Sequence, residues 1–121
     1  MSGRRVLVVE DDVDCASELA ELLDWEGFAV TCAHDVASAM VALERTRFDV
    51  LLVDLELGRG GSGIDVVMAA RAVADGAAPL VALVSGRLLA AAEAALLQPS
   101  VPAVLPKPLS IDRLLAEIGP A

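Results

Sequence analysis

Five short apolar segments alternate along the chain with longer segments that have a helical pattern. The first, third and fourth show no alternation with polar residues, as is typical of strands buried on both faces of a parallel sheet. We predict that each apolar segment forms a β-strand. The segments are Val6–Val9, Phe28–Ala33, Val50–Val53, Leu80–Val84 and Ala103–Leu105.

Between these strands, apolar residues recur at positions i, i+3, i+4 and i+7, which brings them to one face of a helix. Gly27 is expected to end the first helix, and Gly119 with Pro120 the last, which begins at Ser110 or Leu109. The periodic sets begin at Ala16, Val36, Ile64 and Ile111.

The regular alternation of strands and helices predicts an α/β fold of the (βα)5 type. Such a fold is a doubly wound, flavodoxin-like parallel sheet with helices on both faces and strand order 2-1-3-4-5. The 121 residues suffice for one compact domain, so we expect residues 1–121 to form a single domain.

Charge and composition narrow the classes of partner. The formal net charge of -9 argues against direct binding of nucleic acid or of an anionic membrane surface. No apolar run reaches the roughly 18 residues that a membrane span requires. Cys15 and Cys32 lack metal-ligand spacing, which indicates reduced packing residues. We therefore expect a cytoplasmic protein.

Reactive side chains follow four of the five predicted strands. Taken singly, such residues are usually turn residues, helix caps or solvated charges. Carboxyl ends of parallel strands meet at one edge of a sheet, where ligands bind, so their agreement favours a shared site. The groups are Glu10 with Asp11 and Asp12, then Asp54, then Ser85, then Lys107.

The predicted site suits Mg²⁺ and a phosphoryl group. Clustered carboxylates repel one another unless a cation neutralises them, and Mg²⁺ prefers oxygen ligands. Asp11 and Asp54 suit direct ligation, and the longer Glu10 suits a contact through water. A carboxylate can attack phosphorus and form an aspartyl-phosphate. Lys107 and Ser85 would each contact a phosphoryl oxygen. The bond from Lys107 to the following proline is either cis or a plain helix start.

The chain resembles the receiver domain of two-component response regulators, of the chemotaxis-regulator type, from Arg5 to about Ile118. The motifs that carry the resemblance are VLVVEDD at 6–12, VLLVDL at 50–55, ALVSG at 82–86 and LPKPL at 105–109. The resemblance implies that a histidine kinase or phosphotransfer protein donates phosphate to Asp54.

The same resemblance implies a set of site residues and partners. Mg²⁺ would be bound by Asp11, Asp54 and the backbone carbonyl of Glu56, with Glu10 in the outer shell. Ser85 and Lys107 would sense the phosphoryl group. The domain would catalyse only its own phosphotransfer and dephosphorylation, and would act on a downstream protein target or output domain.

The chain also departs from the family pattern. Val104 stands where an aromatic residue usually precedes the lysine by three positions, and the loop after Asp54 lacks the usual proline. Glu56 and Arg87 are expected to pair across the pocket entrance. In the segment Arg87–Leu97, a helix would direct Leu88, Ala92, Ala95 and Leu96 to the core. Leu89 and the remaining alanines would then form an exposed apolar face for a partner or a homodimer, unless the alanines serve only helix propensity.

Two other functions stay open at this stage. Residues 58–63 match the GxGxxG fingerprint of dinucleotide-binding domains, with Asp75 near the spacing of its acid. A flexible glycine-rich loop is the favoured explanation, because the first glycine does not follow the strand closely and the next strand ends in Ser85 and not in an acid. A degenerate receiver that acts by protein contact without phosphate is the second alternative.

Overall fold

The computed structural model describes residues 3–58, 61–73, 78–97 and 103–121. In these residues, five strands form one parallel sheet in the order β2-β1-β3-β4-β5. The predicted α/β class and strand order are therefore confirmed. The strands are β1 (Arg5–Val9), β2 (Ala29–Ala33), β3 (Val50–Asp54), β4 (Leu80–Ser85) and β5 (Ala103–Pro106).

In the same described residues, five helices lie on both faces of this sheet. Buried residues of α2 and α3 pack with one face, and buried residues of α1 and α5 pack with the other. None of the described helices has the length and apolar character needed to cross a membrane. The helices are α1 (Val13–Trp25), α2 (Val36–Arg45), α3 (Gly63–Val73), α4 (Ala91–Leu96) and α5 (Ile111–Ile118).

Strands β1 and β3 lie inside the sheet and are covered on both faces. Leu7 and Val9 of β1 enter one core cluster, while Val6 and Val8 enter the other. Because successive side chains of a strand point to opposite faces, both sets must be apolar. Burial on both faces of the sheet thus explains why apolar and polar residues do not alternate in these two strands.

Local signals define several helix ends. The Asp12 side chain accepts hydrogen bonds from the backbone N–H groups of Asp14 and Cys15 and so caps α1. Ser110 caps α5 in the same way through the N–H of Arg113. Gly27, with φ of +99°, ends the α1 segment as predicted.

The predicted face of the segment Arg87–Leu97 is wrong. Leu88 was expected in the core and is 91% exposed, whereas Leu89 packs against the core and Leu97 is fully buried. The reason is that α4 begins only at Ala91, so helical spacing does not hold before that residue.

The prediction for the two cysteines is wrong, and the predicted dinucleotide fingerprint lies partly outside the residues that the structure describes. Cys15 and Cys32 are free, but both are exposed and are not packing residues. The dinucleotide fingerprint includes Arg59 and Gly60, and its candidate acid is Asp75, and these three residues lie outside the described part of the chain.

Candidate functional site

The carboxyl ends of four strands bring the predicted polar residues to one edge of the sheet. Asp54 is the last residue of β3 and pairs in register with Val84 of the neighbouring strand. Lys107 follows β5, and its backbone N–H donates to the carbonyl of Ser85 at 3.0 Å. Glu10 directly follows β1. The sheet order alone therefore explains why residues far apart in sequence meet here.

Three carboxylates form a compact acidic cluster at this edge. Glu10, Asp11 and Asp54 each offer an oxygen, and these oxygens all lie within 4.8 Å of one another. Asp54 is buried, at 5% exposure, while Asp11 is exposed and Glu10 is intermediate. Like charges at this separation repel, so the cluster needs a neutralising group.

The carboxyl group of Glu10 has a raised pKa within the acidic cluster. Burial, together with the hydrogen bond and charge of Asp54, raises the pKa of Glu10 from 4.5 to about 8. Its buried Oε2 atom has no hydrogen-bond donor among the described residues. A buried carboxylate oxygen without a donor is normally satisfied by water or a cation. The all-oxygen donor set therefore fits a hard cation such as Mg²⁺.

Lys107 supplies positive charge directly to Asp54. The Lys107 ammonium donates to Asp54 Oδ2 at 2.7 Å, and the backbone N–H of Glu56 donates to Asp54 Oδ1 at 2.9 Å. Partial burial opposes the charged lysine, but the hydrogen bond and charge of Asp54 outweigh it and raise the pKa of Lys107. Of the two forms considered for the Lys107–Pro108 bond, the structure has the cis form.

Ser85 lies at the same edge, but its hydroxyl is directed elsewhere. The side chain is almost fully buried, at 3% exposure. Its Oγ atom lies 2.9 Å from Glu56 Oε1 and 2.8 Å from the carbonyl oxygen of Arg87, and accepts from the Arg87 N–H at 3.1 Å. The hydroxyl thus contacts the side chain of Glu56, a partner that the sequence did not predict.

The predicted pairing of Glu56 with Arg87 is wrong. The Arg87 guanidinium instead forms two hydrogen bonds of 2.7 Å with the carboxylate of Glu93 in the first turn of α4. Glu93 is held in position because it also accepts from the backbone N–H of Ala90 at 2.9 Å. The planar guanidinium of an arginine can form two parallel hydrogen bonds with one carboxylate. A contact with Glu56 would break this pair of bonds to Glu93.

Two glycines allow the backbone to approach the acids closely, and their role was missed in the sequence. A Cβ atom on Gly63 would lie 2.5 Å from the carbonyl oxygen of Asp54, and one on Gly58 would lie 3.1 Å from Asp11 Oδ2. Gly58 also has a φ of +68°, which disfavours other residues. The spacing of glycines was the only available signal, and it suggested a nucleotide loop instead.

The acidic cluster opens into a cleft of about 760 Å³ between α1 and the segment after β5. Acidic groups, the Lys107 ammonium and apolar residues of α1 all line this cleft. A cleft of this size admits a phosphoryl group together with part of its carrier. Lining residues include Glu10, Asp11, Asp54, Glu56, Lys107, Cys15, Glu18, Leu19 and Leu22.

Comparison with known proteins agrees with this geometry. A sequence model described as "Response regulator receiver domain" matches residues 6–119. A response regulator receiver protein of Anaeromyxobacter sp. is 38% identical over 114 residues, which cover 93% of this chain and 46% of that protein. The DNA-binding response regulator MtrA of Mycobacterium tuberculosis is 40% identical over 80 residues, covering 66% of this chain and 34% of MtrA. The chain therefore spans less than half the length of these curated relatives.

Solved structures show the same fold. A CheY-like receiver domain from Methylobacillus flagellatus has a TM-score of 0.79 at 26% identity, covering 95% of this chain and 98% of that one. A response regulator from Burkholderia pseudomallei, solved with a phosphorylated aspartic acid, a calcium ion and citrate, has a TM-score of 0.82 at 25% identity. The alignment covers 96% of this chain and 66% of that one.

Proposed function

The chain belongs to the family of response regulator receiver domains of two-component signalling, and we propose that it acts as a phosphoacceptor switch with Asp54 as the phosphorylated residue. The observation that carries this proposal is the position of Asp54, which is a buried carboxylate inside the acidic cluster with the Lys107 ammonium at 2.7 Å. The Burkholderia pseudomallei relative contains a phosphorylated aspartic acid, which adds support.

The proposed reaction moves a phosphoryl group from a phosphohistidine of a histidine kinase or phosphotransfer protein to Asp54. A carboxylate oxygen of Asp54 forms a bond to phosphorus while the bond from phosphorus to the donor imidazole nitrogen breaks. The imidazole nitrogen leaves with the electron pair of that bond and takes a proton from water, which makes the imidazole neutral. Positioning and charge neutralisation do most of the catalytic work in such transfers.

We propose that the acidic cluster holds Mg²⁺ for this reaction. Asp11 and Asp54 would bind it directly with the backbone carbonyl of Glu56, and Glu10 would bind through water. The donor-free Oε2 of Glu10 and its raised pKa support a cation at this place. When bound, Mg²⁺ supplies positive charge that offsets the repulsion between the carboxylates and the phosphoryl oxygens.

Lys107 and Ser85 would bind the oxygens of the phosphoryl group. The raised pKa of Lys107 keeps its ammonium charged. After phosphorylation the ammonium would donate its hydrogen bond to a phosphoryl oxygen and no longer to Asp54 Oδ2. Ser85 offers a buried hydroxyl at the end of the adjacent strand. Receiver domains are generally signalling domains without enzymatic activity, and this one would catalyse only its own phosphotransfer and dephosphorylation.

The partners follow from the same proposal. A histidine kinase or phosphotransfer protein would donate the phosphate, and a downstream protein, an output domain or a second copy of the chain would read it. The curated relatives are at least twice as long as the aligned region, and MtrA is a DNA-binding response regulator. We propose a cytoplasmic site of action. A degenerate receiver lacks support, since the predicted acids, lysine and serine all occupy one site.

Incubation with acetyl phosphate and Mg²⁺ tests the proposal. We expect intact-mass spectrometry to show the gain of one phosphoryl group in the wild type and no gain in Asp54→Asn. Asp24→Asn, which alters an exposed carboxylate of α1, is the matched control and should gain the group like the wild type. A wild type without the gain, or an equal gain in Asp54→Asn, would contradict the proposal.

A further inference from the structure

The hydroxyl of Ser85 has more acceptors near it than it can serve. Glu56 Oε1 lies at 2.9 Å and the carbonyl oxygen of Arg87 at 2.8 Å. A hydroxyl has one proton and therefore donates to one acceptor at a time. The Arg87 N–H already donates to the hydroxyl oxygen at 3.1 Å. The Ser85 hydroxyl is thus engaged by Glu56 and Arg87.

Asp54 is meanwhile satisfied without Ser85. Its Oδ1 accepts the backbone N–H of Glu56, and its Oδ2 accepts the Lys107 ammonium. Glu56 therefore touches both residues: its backbone binds the carboxylate of Asp54, and its side chain binds the hydroxyl of Ser85. The main chain and side chain of one residue connect the ends of β3 and β4.

We propose that the Glu56 carboxylate is a latch that holds the Ser85 hydroxyl in the unphosphorylated domain and is displaced by the phosphoryl group. This inference rests on the proposed phosphorylation of Asp54. A phosphoryl oxygen and the Glu56 carboxylate compete for one hydroxyl proton, and the two anions also repel each other. Glu56 is exposed and lines the cleft, so its side chain can move into solvent while its backbone stays in place.

Release of the latch changes the hydrogen bonds of Arg87. The Arg87 N–H donates to the Ser85 hydroxyl oxygen, which also lies close to the Arg87 carbonyl oxygen. The Arg87 guanidinium donates to Glu93 in the first turn of α4. A shift of the Ser85 hydroxyl therefore acts on the residue that leads into α4. This connection involves no aromatic residue, and β5 carries Val104, at 37% exposure, where an aromatic residue is usual.

Binding of beryllofluoride, a phosphoryl mimic, tests the latch at a fixed Mg²⁺ concentration. The affinity is measured for the wild type, Glu56→Ala, Ser85→Ala and the double variant. The Mg²⁺ ligand proposed at Glu56 is its backbone carbonyl, which these variants keep. Glu18→Ala removes an equal charge from an exposed residue of the same cleft and is the matched control for charge alone.

We expect Glu56→Ala to bind beryllofluoride roughly five- to tenfold more tightly than the wild type, since the hydroxyl no longer leaves a charged acceptor. In the Ser85→Ala background the same change should give a gain of about twofold or less, as should Glu18→Ala. Without ligand, Glu56→Ala should shift the NMR resonance of the Arg87 amide, whereas Glu18→Ala should not.

The contrary outcomes are distinct. An equal gain from Glu56→Ala in both Ser85 backgrounds would mean that only charge matters, and this would overturn the latch while leaving the phosphoacceptor function intact. An unchanged Arg87 amide would also overturn it. Failure of the wild type to bind beryllofluoride in an Asp54-dependent way would overturn the proposed function itself, and the latch with it.

Discussion

The ammonium of Lys107 lies 2.7 Å from the carboxylate of Asp54, although 53 positions separate the two residues in the chain. The lysine side chain is partly exposed and the carboxylate is buried, so water screens only one side of the pair. Among the described residues, Lys107 therefore supplies positive charge directly to the acidic cluster.

Replacing this lysine should destabilise the metal-free domain. Lys107→Met leaves three neighbouring carboxylates without their positive partner, and we expect the free energy of unfolding to fall by about 1–2 kcal/mol after allowance for solvent screening. Urea denaturation in a chelator measures this. Arg113→Met on the exposed surface of α5 is the control and should change stability little; an equal loss in both variants would contradict the role of Lys107.

Mg²⁺ should stabilise the fold through the acidic cluster. At a concentration tenfold above its dissociation constant, a ligand that binds only the folded state adds about 1.4 kcal/mol. We expect Asp11→Asn to lose this gain and to be at least as stable as the wild type without metal, because one repelling charge is removed. Thermal unfolding with Mg²⁺ and with a chelator measures both effects.

The control for the metal experiment is Asp14→Asn, which alters an exposed acid in the first turn of α1. This variant should keep the full Mg²⁺ gain. If Asp11→Asn gained as much stability from Mg²⁺ as Asp14→Asn, the acidic cluster would not be the binding site.

Gly63 should tolerate no side chain. A Cβ there would lie 2.5 Å from the carbonyl oxygen of Asp54 and 2.8 Å from Val53 Cγ1, so Gly63→Ala forces α3 away from the end of β3. We expect a loss of about 1–3 kcal/mol in the free energy of unfolding. Gly86→Ala is a matched control, since the nearest atom to its Cβ would be Lys107 Cδ at 4.0 Å. Equal denaturation midpoints for the two variants would refute the close approach.

The pairing of Arg87 with Glu93 predicts a pH dependence. Hydrogen bonds from the Arg87 guanidinium and the Ala90 N–H lower the pKa of Glu93 from 4.5 to about 2. A carboxylate whose pKa is lower in the folded state stabilises that state above its unfolded pKa, and the contribution disappears as pH falls through the folded pKa. The stability difference between wild type and Glu93→Gln should therefore shrink between pH 4.5 and about 2.

Thermal unfolding across this pH range measures the difference, and NMR titration of the Glu93 carboxyl measures the pKa directly. The Arg87→Ala variant should return the pKa of Glu93 toward its ordinary value. A Glu93 that titrates in the ordinary range in the wild type would show that the pair does not form in solution.

Much of the fold and the site follows from short-range patterns in the sequence. Apolar segments without alternation predict the inner strands, and the polar residues at the ends of four of the five strands predict the site, because sheet order brings strand ends together. Asp54, Lys107 and Ser85 were therefore predictable as neighbours. Their individual hydrogen bonds were not, since these depend on loop geometry that no periodicity encodes.

The segment after β4 shows where sequence reasoning fails. Helical spacing predicts a helix from Arg87, but Glu93 binds Arg87 and the N–H of Ala90, and α4 begins only at Ala91. Because Arg87 pairs with Glu93, the Glu56 carboxylate accepts from the Ser85 hydroxyl and not from the guanidinium. An ion pair between a loop residue and the first turn of the following helix, six positions later, has no counterpart in helix or strand periodicity.

The most direct test of the central claim is to locate the phosphoryl group by residue. After phosphorylation with acetyl phosphate and Mg²⁺, borohydride reduction converts a phosphorylated aspartate into homoserine, which peptide mass spectrometry identifies by position. We predict homoserine at position 54. Homoserine at position 11 or 12 instead, or none at any position in the reduced wild type, would contradict the assignment of Asp54 as the phosphoacceptor.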